Sequence, residues 1–397
     1  MPRDDSIFRD EKWLYQHVRS LLNFYYPTCI DHRYGGYISQ LSDTDGHVYD
    51  GRSKMVVSTA RFVFNFSVGK LLSGPDWCHS AAHHGVDFLL DAHRQDDGGY
   101  PWLLSGRDVA DPQRTCYGHA FVLFALSTAV KADIPRAEDH IEETFALIDD
   151  HFWEDEYGLC KGKLDSDWNE VEEYRGQNAN MHMCEALIST YEATGNEMYI
   201  DRAYTIAERL ALELADQGDG LLWEHYTTDW EHDWDYNQDQ PTHLFRPWGY
   251  QPGHLIEWTK LLLHLDEYVD GGWLVDRAQH FFDTAIEHGW DDEHGGFIYN
   301  FTREGEPVAE DKYYWTHAEG FAAAVRLADT TEDPTYWGWY DRIWKYAWKN
   351  MVNKKYGNWY SKLTPDNKLH DDIDSTPKVK TGYHPLGACY DVLQLRE

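Results

Sequence analysis

The stretch Asp96-Asp97-Gly98-Gly99-Tyr100 and its counterpart Asp292-Glu293-His294-Gly295-Gly296-Phe297 share one pattern: polar residues, then glycine, then an aromatic ring. The pattern returns more faintly at Gly36-Tyr37, Gly158-Leu159, Gly220-Leu221 and Gly357-Asn358-Trp359. Successive marks lie 63, 59, 62, 76 and 61 residues apart. Glycine supplies the positive φ of a tight turn, and the apolar residue after it anchors a short extended segment. Six marks in register define a repeat of about 60 residues.

Working outward from each mark, helical patterns lie on both sides. Upstream segments are amphipathic: Ala82, Val86, Leu89, Leu90 and His93 fall on one face, as do Tyr336, Tyr340, Ile343 and Ala347. Arg136 to Trp153 and Tyr199 to Asp216 follow the same rule. Downstream segments are less polar: Val56 to Gly69, Tyr117 to Val130, Asn178 to Tyr191, Pro252 to Leu265, Trp315 to Leu327, and Tyr383 to Leu393. One-sided helices belong outside and uniformly apolar ones inside. The expected fold is therefore all-α, an (α/α)6 barrel of six outer and six inner helices with short strands in the connecting loops. An open solenoid is the competing arrangement; closure is expected because the last inner pattern has no polar cap. No Gly-, Pro- or Ser-rich boundary interrupts residues 1–397, which read as one catalytic domain. The long fourth interval places extra residues in Thr227 to Trp248, a polar, Asp- and Trp-rich loop that reads equally as a lid or as a tethered surface loop.

Composition excludes several classes. With 42% apolar and 15% aromatic residues, the chain has ample material for a core. Sixty-nine acidic residues against 35 basic ones give a net charge of −34, a field that repels nucleic acid and anionic membranes and favours solubility. No run of about 18 apolar residues suggests a membrane span, and Met1-Pro2-Arg3-Asp4-Asp5-Ser6 does not read as a secretory signal. A cytoplasmic enzyme is the expectation. The six cysteines, Cys29, Cys78, Cys116, Cys160, Cys184 and Cys389, have neither disulfide nor zinc-site spacing and read as reduced core residues. No Gly-rich phosphate-binding motif is present, so no cofactor is expected. The sequence assigns no oligomeric state.

Unusual residues collect at the start of the inner helices. They include Tyr117-Gly118-His119, Arg175-Gly176-Gln177-Asn178-Ala179-Asn180-Met181-His182-Met183-Cys184-Glu185, and Gln251-Pro252-Gly253-His254-Leu255-Ile256-Glu257-Trp258. Tyr313-Tyr314-Trp315-Thr316-His317-Ala318-Glu319 and Thr381-Gly382-Tyr383-His384-Pro385 follow. In a barrel, equivalent helix ends converge at one mouth. His182 with Glu185 and His254 with Glu257 are three apart and share a helix face, so each glutamate is expected to orient and polarise its histidine. A lone histidine on an apolar helix is usually a satisfied core residue; two such pairs plus His384 at matching places in the repeat point to acid–base chemistry. Metal ligation is the weaker reading, because zincin and di-iron ligand sets are missing. Of the many rings, Trp248, Trp315 and Tyr383 stand beside these histidines and are candidate pocket residues.

These motifs resemble the N-acylglucosamine 2-epimerase superfamily, most closely its mannose isomerase branch, from Trp13 to the Tyr383-His384 motif. The most specific pieces are Tyr174 to His182 and Pro252 to Trp258. The resemblance implies an (α/α)6 barrel, metal-independent catalysis without a cofactor, and a monosaccharide as substrate. It implies His254 and His384 as acid/base catalysts and His182 as a pocket histidine that assists ring opening. It also implies that Arg61, in Ser58-Thr59-Ala60-Arg61-Phe62, holds sugar oxygens, and that Asn178, Glu257, Trp315 and Glu319 occupy pocket positions. His317 and His119 stand at places where relatives vary.

The implied reaction interconverts a free aldose and ketose, D-mannose and D-fructose being favoured, through a cis-enediol. A neutral imidazole takes and returns the proton near neutral pH. Three rival readings remain. A 2-epimerase acting on mannose and glucose, or on an N-acylhexosamine, uses the same enediol. A glycoside hydrolase employs Glu257 and Glu319 as its carboxylate pair. A non-catalytic sugar-binding protein binds without turnover. Beyond Arg61, Arg175 and Arg246, no cationic cluster suggests a sulfonated sugar.

Overall fold

Each glycine mark is a hairpin that turns the chain from an outer helix toward an inner one. Around Gly36, Asp31 N–H donates to the Gly36 carbonyl and Ile38 N–H to that of Cys29; Asp291 with Gly296 and Asn353 with Asn358 repeat the first bond. The φ is +63° at Gly36, +67° at Gly158, +79° at Gly220, +83° at Gly296 and +86° at Gly357. At the second mark it is Gly98, at +82°, that takes this conformation. Gly99 is required for a different reason: a Cβ there would meet Arg114 Nη1 at 1.6 Å. The following residues, Tyr37, Tyr100, Leu159, Leu221, Phe297 and Trp359, are all buried. Fully burying a side chain of this size contributes roughly 1.5–3 kcal/mol, which offsets the entropy of fixing the turn.

In the computed structural model, which describes residues 7–370 and 379–396, twelve long helices alternate between two layers. The stretch read for a secretory signal, residues 1–6, lies outside the described residues. The outer helices are α1 (Glu11–Tyr25), α3 (Trp77–Phe88), α5 (Ile141–His151), α7 (Glu197–Ala207), α9 (Leu274–Gly289) and α11 (Pro334–Asn350). The inner helices are α2 (Val56–Leu71), α4 (Cys116–Lys131), α6 (Gln177–Thr194), α8 (Pro252–Asp266), α10 (Tyr314–Thr331) and α12 (Tyr383–Gln394). Burial separates the layers. In α1 only Leu14, His17, Val18, Leu21, Leu22 and Tyr25 are buried, a single stripe; in α4 nearly every residue from Cys116 to Ala129 is buried. Local signals set the helix starts: Asp10 accepts from Trp13 N–H, Thr115 from Gly118 N–H, and Asp333 caps α11 ahead of Pro334.

The ring closes. Each inner helix packs on the next, and α12 packs on both α10 and α2, while α1 packs on α12 to complete the outer layer. That excludes the open solenoid. Two segments depart from the sequence reading. The stretch Arg136 to Trp153 is not one helix: a short turn, Pro135–Glu138, precedes α5, which ends at His151, and Trp153 begins a strand. Tyr199 to Asp216 passes through a π-helical segment, Glu208–Leu214, before resuming as Ala215–Gln217.

Short strands just before the inner helices tie neighbouring repeats together at one end of the barrel. Ser53–Met55 pairs with Leu103–Ser105, Arg114–Thr115 with Lys163–Leu164, Arg175–Gly176 with His225–Tyr226, and Lys312–Tyr313 with Lys362–Leu363. Ion pairs made by buried cations fasten several of these strands to a hairpin. Lys54 Nζ lies 2.5 Å from Asp31 and donates to the Tyr37 carbonyl at 2.7 Å; Arg114 meets Asp97 at 2.8 Å, Arg175 meets Glu154 at 2.7 Å, and Lys312 meets Asp291. The loop Thr227 to Trp248 is tethered at its base. Trp248 Nε1 donates to the Trp234 carbonyl at 2.6 Å, Trp223 packs on Trp234, and Arg246 pairs with Glu172 at 2.6 Å. The six cysteines are buried and unpaired, and no helix among the described residues is long and apolar enough to cross a membrane.

Candidate active site

At the crowned end of the barrel a cavity of about 260 Å³ is lined by residues from all six inner helices. Arg61 comes from α2, Tyr117 from α4, Asn178 and His182 from α6, His254 and Glu257 from α8, and Trp315 from α10. His384 comes from α12. The rim adds Leu244, Phe245 and Pro247 from the long loop. Residues separated by more than a hundred positions thus share one small chamber, which holds seven of the eight site residues expected from the sequence. The eighth, Glu319, lies behind His384 and does not line this cavity.

Three histidines are each held by a buried carboxylate. His182 Nδ1 lies 3.0 Å from Glu185, His254 Nδ1 lies 2.8 Å from Glu224, and His384 Nδ1 lies 2.7 Å from Glu319. An ionised carboxylate only accepts, so Nδ1 of His182 and of His384 carries the proton and donates it. That leaves their Nε2 lone pairs for the cavity. Nδ1 of His254 faces both Glu224 and, at 2.8 Å, the Gln177 amide nitrogen. Burial, then the positive charge of Arg61, His182 and Lys260, pushes His384 well below its ordinary value, so its ring is neutral near pH 7. Burial likewise lowers His182, against the pull of Glu185. A neutral ring with a fixed tautomer and a free nitrogen is a proton acceptor ready for use.

The partner of His254 corrects the sequence reading. Helix spacing assigned Glu257 to that role, but Nδ1 turns away to Glu224, which reaches it from the loop after the fourth hairpin. Gln177 Nε2 donates to the same carboxylate at 3.0 Å, and Trp258 Nε1 holds the Gln177 oxygen at 2.9 Å. Glu257 is left with Oε1 unpartnered. Burial first, then the nearby charges of Glu319 and Glu185, raise it well above the usual carboxylate range despite Lys260. Burial thus favours its protonated form, which can donate as well as accept. Asn178 Oδ1 is a second unpartnered polar atom in the wall. Buried polar groups without partners are costly, and a ligand bearing several hydroxyls satisfies both.

Arg61 is buried against the rings of Phe121 and Tyr383, at 4.5 and 4.8 Å, and donates to Tyr117 Oη at 3.0 Å and to the Val379 carbonyl at 3.2 Å. Its cation is thus fixed at the cavity wall. Trp315 packs against both catalytic candidates, 5.2 Å from the His254 ring and 5.9 Å from that of His384. The other two candidate rings do not line the cavity: Tyr383 donates to Glu185 at 2.8 Å behind it, and Trp248 is spent within its loop. Arg175 and Arg246 are consumed by glutamates.

The remaining motif histidines serve the fold. His119 Nε2 accepts from Tyr100 N–H at 3.2 Å and its Nδ1–H donates to the Thr115 carbonyl at 2.8 Å. His317 does the same with Phe297 N–H and the Tyr313 carbonyl, at 2.9 and 2.8 Å. Both are the fourth residue of their helix, whereas His182, His254 and His384 are the sixth, third and second. The cavity histidines are not at equivalent positions; they converge because the helices do.

Two groups offer ligand atoms close enough to hold a cation, His182 with Glu185 and Glu257, and Glu257 with Glu319 and His384. Between them, however, the Lys260 ammonium already stands 2.7 Å from Glu319 and 3.5 Å from Glu185.

Comparison with known proteins agrees with this architecture. The sequence pattern of the N-acylglucosamine 2-epimerase (GlcNAc 2-epimerase) family matches residues 36–388. A D-mannose isomerase of Marinomonas mediterranea is 43% identical over 388 residues, covering 98% of each chain. A crystal structure of a D-mannose isomerase superposes with a TM-score of 0.95 at 43% identity, over 98% of this chain and 99% of that one. The cellobiose 2-epimerase of Bacillus thermoamylovorans shares the fold, with a TM-score of 0.82 at 18% identity over 96% and 99% of the two chains.

Proposed function

The chain belongs to the N-acylglucosamine 2-epimerase family, and from that premise we propose that it is an aldose–ketose isomerase interconverting free D-mannose and D-fructose without a metal ion or cofactor. The observation that carries this reading is the pair of carboxylate-held rings, His254 on Glu224 and His384 on Glu319, facing one cavity on either side of Trp315.

In the open-chain aldose the C1 carbonyl acidifies the C2–H bond. A neutral imidazole removes that proton to give a cis-enediol and returns it to C1, with the C2 hydroxyl becoming the ketone. Of His384 and His254, one handles the carbon-bound proton and the other serves the oxygens. Arg61 stabilises charge developing on oxygen. Glu257 and Asn178, each with an unpartnered oxygen in the wall, hold hydroxyls. His182, backed by Glu185, assists opening of the sugar ring. The buried carboxylates behind the rings let each ring cycle to imidazolium in a dry site.

The hydrolase arrangement fares worse. It needs two carboxylates flanking one bond, whereas Glu319 is bound to Lys260 and His384 and stays out of the cavity. The test is incubation with D-mannose in heavy water, with products separated by chromatography. Fructose is the expected product, with rates unchanged by a chelator; glucose alone would make the protein a 2-epimerase, and loss of activity on chelation would sink the metal-free mechanism.

A further inference from the structure

Lys260 lies on α8, one turn beyond Glu257, and only 5% of its surface is exposed. A lysine in such a place is unusual, because burial favours its uncharged form. Here Glu319 and Glu185 outweigh burial and keep the ammonium charged, raising it well above an ordinary lysine. Its Nζ stands 2.7 Å from Glu319 Oε2 and 3.5 Å from Glu185 Oε1.

The other oxygen of each carboxylate is already spent on a cavity histidine. Glu319 Oε1 takes the Nδ1 proton of His384 at 2.7 Å, and Glu185 Oε2 takes that of His182 at 3.0 Å. One ammonium therefore connects two imidazoles that arrive from different helices, α6 and α12. Behind it lies a second chamber, of about 390 Å³, into which Lys260, Glu185 and Glu319 also face. The floor of the active site is thus a thin charged partition rather than a packed apolar plug.

We propose that Lys260 is a positioning residue for the isomerase reaction: its ammonium holds the carboxylates of Glu319 and Glu185 in place, and through them fixes the orientation and tautomer of His384 and His182. Three buried carboxyls, Glu185, Glu257 and Glu319, compete for this one cation. Without it Glu319, which burial already raises above the ordinary carboxylate value, loses the charge that opposes that rise. A protonated Glu319 no longer stabilises the imidazolium that His384 forms when it accepts the proton from carbon. The inference rests on the isomerase reading, and turnover of D-mannose to fructose by the parent checks that reading separately.

The experiment compares the parent with Lys260→Met, Lys260→Arg, Glu319→Gln and the double variant Lys260→Met/Glu319→Gln, by steady-state kinetics on D-mannose and by thermal unfolding. Lys260→Met is expected to lower kcat by about 10–100-fold, less than the roughly 10²–10⁴-fold that a whole acid–base group supplies, with a smaller change in KM. Lys260→Arg is expected to recover most of that loss, since the rear chamber admits the guanidinium and its fork suits two carboxylates. The double variant is expected to be slower than Glu319→Gln alone by less than the full Lys260→Met loss, because only the arm through Glu185 and His182 is then left to lose. Should Lys260→Met fail to fold, Lys260→Gln removes the charge while keeping a donor. A Lys260→Met or Lys260→Gln enzyme with parental kcat overturns the proposal, as do losses that multiply in the double variant. Failure of both neutral variants to fold overturns it too, by assigning Lys260 to the folded core alone.

Discussion

Two sets of buried histidines sit near the starts of inner helices, His119 and His317 on α4 and α10, His254 and His384 on α8 and α12, and do different work. His119 and His317 spend both ring nitrogens on backbone, one on the amide after a glycine mark and one on a carbonyl four residues upstream. His254 and His384 spend one nitrogen on a buried carboxylate and keep the other for the cavity. Residue type and burial do not separate the sets; the partners do. A ring closed off by backbone is a fastener, while a ring with an anion behind it and a lone pair in front is a proton carrier. The third repeat makes the same point with another residue type. Asn180, at the place of His119 and His317, accepts from Cys160 N–H at 2.7 Å and donates to the carbonyls of Cys160 and Gly176.

The contrast breaks most visibly in turnover. Replacing His254 or His384 with Asn is expected to lower kcat on D-mannose by about 10²–10⁴-fold, the span of general acid–base assistance. The fold should stay intact, because no backbone hairpin depends on either ring. Fructose formation and a thermal melt on each variant measure the two halves of that statement; a parental rate in either variant ends the assignment. Next in size are the carboxylates. Glu224→Gln keeps a hydrogen-bond acceptor behind His254 but removes the anion, so kcat is expected to fall by about 10–100-fold with KM nearly unchanged. Glu257→Gln, by contrast, keeps the shape of a group whose charge burial disfavours, and its effect is expected mainly in KM. The reverse pattern, with Glu257→Gln losing kcat and Glu224→Gln parental, would restore the assignment made from helix spacing.

That reversal marks how far the sequence is legible. The hairpins, the two helix layers and all six inner helices can be read from it, because a glycine before an aromatic and a change from one-sided to all-round apolarity are local signals. His182, His254 and His384 are legible for a similar reason, as rare polar residues in apolar helices. Glu224 is not. It lies thirty residues from His254 in a loop, with no periodic relation to it, and only the closing of the ring brings the two together. Lys260 hides for another reason: at the rear of an amphipathic pattern it looks like a solvent-facing charge. The buried pairs Lys54–Asp31 and Lys312–Asp291 escape in the same way, since a charged residue beside a turn is ordinarily exposed.

The smaller effects fall on the fastening histidines. In His317→Ala the Phe297 amide and the Tyr313 carbonyl lose their partner inside the core. An unsatisfied buried group costs about 1–3 kcal/mol, so unfolding in urea is expected to shift by roughly that amount, while kcat per folded molecule stays within about twofold. A kcat loss as large as that of His384→Asn would erase the distinction between the sets.

The finest test uses pH, where both sets titrate but report differently. Burial lowers His317 to about 3 and His119 to about 4, from 6.5. Between those values and 6.5 the unfolded chain binds protons that the folded one refuses, so stability rises with pH through that window. The contribution is complete above pH 6.5 and is lost as pH falls toward the folded values. Each such histidine adds a slope of about 1.4 kcal/mol per pH unit. His317→Asn, which copies the arrangement at Asn180, supplies the same pair of backbone contacts without a titrating ring. It is expected to flatten the dependence of the urea midpoint on pH between about 4 and 6, while leaving the pH profile of kcat/KM as in the parent. The acid limb of that profile belongs to a cavity base such as His384, which burial and neighbouring cations hold well below 6.5, so activity should persist on the acid side of an ordinary imidazole. If His317→Asn moved that limb, the fastening ring would be coupled to the chemistry after all, and partners alone would no longer tell the two kinds of histidine apart.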